Sequence, residues 1–163
     1  MYNIKKILLI AMVFIFTGCA SVMNYTQIKH VPRDGYIAVL PLQNNTNTPR
    51  AGQRAKNIIV NILLSRNYPA TGVSAGDEEY MSEKRANEIS KNLNSKYYLF
   101  GSVNEWRYKS GMEAEPAVAV SFRIIDKKSG AVVYSAVGAK NGWGGDSVSS
   151  IAQKLVLELI NER

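Results

Sequence analysis

The chain has 163 residues, 46% hydrophobic, 20% charged and 9% aromatic, which suits one folded domain and excludes a wholly disordered or collagen-like chain. One Cys and one His leave no pair for an internal disulfide and no ligand set for a structural zinc. Twenty Lys and Arg against thirteen Asp and Glu give a formal charge of +7, a balance that suits an anionic surface such as lipid or nucleic acid.

The chain opens with Lys5 and Lys6, then the apolar run Ile7 to Phe16, then small residues around Cys19. That is the layout of a secretory signal. The run is too short for a membrane-spanning helix, which needs ~20 apolar residues to cross roughly 30 Å of hydrocarbon. Phe16-Thr17-Gly18-Cys19 resembles a bacterial lipobox, and the only Cys stands where a thiol accepts diacylglycerol. Residues 1–18 are therefore expected as a lipoprotein signal peptide, with Cys19 the lipidated first residue of the mature chain. Acyl chains contribute ~0.8 kcal/mol per buried methylene, and a triacylated Cys supplies more than the one chain that stable anchoring requires. Ala20 stands second in the mature chain, where an Asp would signal retention at the inner membrane, so the expected location is the periplasmic face of the outer membrane. Losing Lys5 and Lys6 with the signal leaves a net charge of +5, so the basic excess survives processing.

Ser21 to Asp34 shows no apolar period and ends in the turn cluster Pro32-Arg33-Asp34-Gly35, so residues 19–34 read as lipidated Cys and tether, and 35–163 as one globular domain. His30 falls in that tether, without partners for a ligand role. Tyr36 to Leu42 is a short buried-strand pattern with Pro41 near its end. After the polar run Gln43 to Thr48, Thr48-Pro49 reads as an N-cap and first helical position. Ala55, Ile58, Ile59, Ile62 and Leu63 then recur at helical spacing up to about Arg66. A short strand is expected near Ala70 to Val73, then a helix opened by Asp77-Glu78-Glu79 with Met81, Ile89 and Leu93 as its apolar positions. Three strands follow, Tyr97 to Lys109, Ala117 to Ile125 and Val132 to Ala139, the last two joined by a tight turn at Asp126 to Gly130. Asp146-Ser147 opens the clearest amphipathic helix, with Ile151, Ala152, Leu155, Val156, Leu159 and Ile160 on one face. The order β-α-β-α-β-β-β-α predicts an α/β (α+β) fold, a mixed sheet with three helices packed on it.

Chemistry is harder to place. The Gly-containing stretch 138–145 has neither Walker nor dinucleotide spacing. Glu113 and Glu115 have the residue type of a glycosidase acid/base pair, but between Gly111 and Pro116 they read as exposed turn acids. A Ser nucleophile wants a His, and the only His lies in the tether. The chain reads as a non-enzyme, with no cofactor or metal beyond the acyl lipid on Cys19. Lys and Arg are scattered singly and the signal points outside the cytoplasm, so nucleic acid is not the expected partner. Trp143, flanked by Gly142, Gly144 and Gly145, belongs to no periodic core face; it is either a loop residue folded back on the sheet or a membrane-interface anchor.

Four segments together resemble the PelC family, outer-membrane lipoproteins of the Pel exopolysaccharide exporter, over most of residues 36 to 162. They are Ala38-Val39-Leu40-Pro41-Leu42 with Asn44-x-Thr46-x-x-Pro49-x-Ala51-Gly52, the block Tyr98 to Lys109, Glu115-Pro116-Ala117-Val118, and Gly138-x-x-x-Gly142-Trp143. Gly101-Ser102-Val103-x-Glu105-Trp106-Arg107-Tyr108-Lys109 is the most specific stretch. The resemblance implies a homo-oligomeric ring of about a dozen subunits on the inner leaflet of the outer membrane. It further implies an acidic funnel that passes a cationic polysaccharide to a PelB-like barrel during biofilm formation. It assigns membrane contact to Trp143 and the funnel lining to Glu113, with Glu115 beside it. Because the mature chain is net basic, an acidic lumen requires segregation, with acids lining the hole and Lys and Arg on subunit contacts or the lipid side. The rival reading is a monomeric outer-membrane lipoprotein that binds and activates a periplasmic cell-wall synthase, against which the tether, about 55 Å at full extension, weighs as a short reach. An assembly factor for another secretion channel is a third.

Overall fold

The computed structural model describes residues 22–25, 30–74, 81–108, 115–143 and 145–160. Its elements in chain order are β1 (Val22–Tyr25), β2 (Ile37–Val39), β3 (Gln43–Asn44), α1 (Ala51–Ser65), β4 (Ala70–Gly72), α2 (Glu83–Lys91), β5 (Tyr97–Arg107), β6 (Ala117–Asp126), β7 (Val132–Asn141) and α3 (Val148–Ile160). The strands form one seven-stranded sheet in the order β1-β7-β6-β5-β2-β4, with β3 also paired to β5. Its β4-β2-β5 half is parallel and its β5-β6-β7-β1 half antiparallel. The sheet is mixed and carries three helices, so the α+β architecture expected from the sequence is the one observed.

Strand alternation divides the residues between two faces. On one face Leu99, Val118, Val120, Phe122 and Ile124 join Ala55, Ile59 and Leu63 of α1 and Ile151, Leu155 and Leu159 of α3 in the main core. The apolar stripe read in each of those helices is the stripe buried, as the hydrophobic effect requires. On the other face Leu40, Tyr98, Phe100 and Ile125 make a smaller core with Met81 and Ala86, against which Ile89 and Leu93 pack. Helix α2 covers that patch, and among the described residues no other helix lies over the second face of β5, β6 and β7.

Three expectations need correction. The stretch expected as a tether is docked where it is described: β1 pairs antiparallel with β7, Val31 is buried, Arg33 stacks on the Tyr68 ring at 4.1 Å, and Asp34 accepts hydrogen bonds from Lys96 and Tyr97. A strand added by backbone pairing needs no apolar period, so the pattern that finds core strands misses it. Thr48 does not cap α1. Its hydroxyl donates to the Trp106 carbonyl at 2.7 Å, tying the loop to β5, and the helix starts at Ala51 after Arg50 in left-handed conformation (φ 59°). Finally, α2 is capped by Ser82, whose side chain accepts from the Arg85 amide, while the acidic run at 77–79 lies outside the described residues. Gly142 fits only without a side chain: a Cβ there would meet Pro116 Cγ at 2.9 Å and clash harder with Ile151.

Candidate functional site at one end of the sheet

The cross-strand register sets a row of residues at one end of the sheet. Arg107 of β5 pairs with Ala117 of β6, which pairs with Asn141 of β7, and Val22 opens β1 opposite Ala139. Trp143 and Glu115 each lie two residues beyond that row, and Tyr108 one. The Gly142 amide donates to the Pro116 carbonyl at 2.7 Å, so the segments bearing Glu115 and Trp143 are bonded to one another.

Trp143 is 71% exposed, whereas Trp106, the only other Trp, is buried at 3%. Of the two sequence readings, a loop residue folded back on the sheet is therefore not what the structure shows. The loop itself is held firmly. The Asp146 amide donates to the Trp143 carbonyl at 2.9 Å, the Trp143 amide donates to Asp146 Oδ2 at 3.2 Å, and Lys154 Nζ donates to Asp146 Oδ1 at 2.9 Å. The Lys154 bond, then the Trp143 amide, hold the Asp146 carboxyl below the usual carboxylate range. An exposed indole on a fixed loop presents its apolar area outward without first being ordered.

Other side chains crowd the same end. Arg54, near the start of α1, donates to the Tyr108 hydroxyl at 2.9 Å, and Tyr108 is itself 45% exposed. Arg107 and Glu105 pair at 3.3 Å on the surface. Glu115 is exposed. Cys19 and Glu113 lie outside the described residues; in the chain Cys19 precedes β1 by three positions and Glu113 precedes Glu115 by two. The Asp146–Lys154 clamp was not recognised as part of the site from sequence. Its signal was present, since an Asp three residues after Trp143 is the spacing at which a carboxylate bonds back to a turn amide.

No family model matches the chain, and no curated protein does. Among solved structures it is similar to the PelC dodecamer from Paraburkholderia phytofirmans at 34% identity and TM-score 0.73, covering 86% of this chain and 94% of that one. A Leu-to-Met variant of that dodecamer, in a second crystal form, matches at the same identity and TM-score and is covered to 95%. Lipoprotein GNA1162 from Neisseria meningitidis shares the fold at 14% identity and TM-score 0.51, with 69% of this chain and 87% of that one covered. Identity at that level over nearly the whole length of the first relative, joined to the shared sheet, shows that this chain belongs to the PelC family.

Proposed function

We propose that the protein is a lipid-anchored, ring-forming periplasmic component of an outer-membrane Pel exopolysaccharide export complex, a non-enzymatic guide that passes cationic polysaccharide to a PelB-like outer-membrane barrel. The dodecameric relatives support the ring. The observation that carries the reading is the gathering of three features at one end of the sheet: the start of β1, the exposed Trp143, and Glu115. Two residues, Ala20 and Ser21, separate Cys19 from Val22, so a lipid on Cys19 lies within about 10 Å of β1 even at full extension. An anchor that short holds this end against the membrane surface, where an indole at headgroup level is favourable. It also leaves no reach toward a synthase in the inner membrane.

Signal removal at residue 18, lipidation of Cys19 and seating of Trp143 are then parts of one arrangement. Glu115, with Glu113 two positions before it in the chain, supplies carboxylates that attract a partly deacetylated amino sugar polymer weakly enough for it to move on. In sequence Glu115 stands beside Glu113, the position the resemblance matches, and its exposure beside the Trp143 loop supports the role.

The test is export itself. Cells carrying Glu113→Lys and Glu115→Lys together should lose most of the secreted polymer while the protein stays in the outer-membrane fraction. Unchanged polymer with normal localisation would remove the acids from the account.

A further inference from the structure

The part of the second sheet face that no described helix covers carries small side chains, where strands more often place β-branched or aromatic ones. Here β5, β6 and β7 present Ser102, Ser121, Ser135 and Val137 side by side, and together with Gln43 and Asn45 of the β3 loop they line a shallow groove of about 330 Å³. Ligand sites start at about this size.

The groove is a connected row of neutral donors and acceptors. Gln43 Nε2 donates to Asn45 Oδ1 at 3.0 Å, and Asn45 Nδ2 donates to Asn104 Oδ1, also at 3.0 Å. Ser102 Oγ donates to the same Asn104 oxygen at 3.1 Å and lies 2.9 Å from Ser121 Oγ. Each amide retains a further N–H, and each hydroxyl a lone pair, beyond the bonds it makes within the row. Those internal bonds fix the orientation of groups that would otherwise be mobile. Val137, 44% exposed, adds an apolar floor, and Glu83 at the α2 start adds a carboxylate bonded to Arg123 at 2.8 Å.

Charge is mixed on both faces: Arg123 lines the groove beside Glu83, while helix α1 on the opposite face bears Arg54 and Lys56, which donate to the Tyr108 hydroxyl and the Val73 carbonyl.

We infer that this groove is a saccharide subsite, taking one or two hexosamine units with hydroxyls on the Asn45–Asn104–Ser102–Ser121 row, a pyranose C–H face on Val137 and an amino group near Glu83. This inference rests on the polysaccharide-guiding function proposed above and assigns its contact surface. Without an aromatic platform each contact is weak, as a track for a moving polymer requires, and repetition around a ring supplies the retention.

The experiment measures binding of a glucosamine hexamer, and of its fully N-acetylated counterpart, to the full-length lipidated protein in detergent. Asn45→Ala with Asn104→Ala should weaken both sugars roughly five- to tenfold, at about 1 kcal/mol per lost hydrogen bond less relaxation. Glu83→Gln should weaken only the cationic hexamer, and Ser121→Trp, which fills the groove, should abolish both. If Ser121→Trp lowers the melting temperature, the paired Asn variant decides alone. Wild-type binding that the groove variants leave unchanged overturns the subsite. So does absence of binding by wild type, and if Glu113→Lys with Glu115→Lys still blocks export, the guiding function stands without the groove. Loss of binding in the groove variants with export unaffected in cells would overturn the track while keeping the sugar site.

Discussion

The two ends of the sheet are built to opposite ends. At the one where β5 begins, polar groups close on each other: Lys96 Nζ donates to Asp34 Oδ2 at 2.5 Å, the Tyr97 hydroxyl donates to Asp34 Oδ1 at 2.9 Å, and Lys127 donates to the Leu93 carbonyl. The β6–β7 turn there is self-contained, with the Asp126 carboxylate accepting from the Lys128 and Ser129 amides at 2.9 and 2.8 Å. At the other end Trp143, its amide bonded to Asp146 Oδ2, holds its indole in solvent. On the function proposed above, this indole is the side chain that meets the membrane, whereas Tyr36, also exposed at the closed end, has no lipid anchor beside it in the chain.

The largest effect that breaks this comparison comes from the glycines beside Trp143. Gly142→Val should cost about 1–3 kcal/mol by forcing Ile151 and Pro116 apart, read as a fall in denaturation midpoint. Gly145→Ala, with nothing within 4 Å of the added carbon, should leave the midpoint in place. Equal effects would mean that the loop is not packed as described.

A smaller effect sharpens the comparison at the closed end. The Lys96 bond, then the Tyr97 hydroxyl, hold the Asp34 carboxyl below its ordinary value, so its contribution is present above the unfolded carboxylate pKa and lost as pH falls through the lower folded one. Asp34→Asn should therefore melt below wild type at neutral pH, and the two should converge as pH drops below about 4. A gap that persists in acid would assign the loss to packing rather than to the carboxylate.

Much of this was legible in the chain. Helix α3 and the face of α1 follow from apolar spacing, because both helices bury one stripe against a sheet. The β5-β6-β7 meander follows from alternation and from the Asp126 to Gly130 turn, where Gly130 adopts the positive φ that the turn needs. What was not legible is what depends on partners far away in sequence. Val22–Tyr25 pairs through backbone groups that every residue has, Thr48 leaves the helix it was expected to cap for a carbonyl 58 residues on, and the Asn45–Asn104 contact joins residues 59 apart. At the candidate site the Trp was recognisable from its glycine neighbours. That Glu115 and the start of β1 share its end of the sheet is a property of register alone.

Depth-dependent quenching of tryptophan fluorescence, with the lipidated protein bound to vesicles carrying bromine at graded positions along the acyl chain, tests the central claim most directly. Trp106 is buried in the core and supplies a constant background. The account predicts that emission shifts to the blue on binding and is quenched most by bromines nearest the headgroups, and that Trp143→Phe abolishes both changes. Emission from Trp143 that stays at its aqueous wavelength and unquenched on fully bound protein would contradict the seating of this end on the membrane.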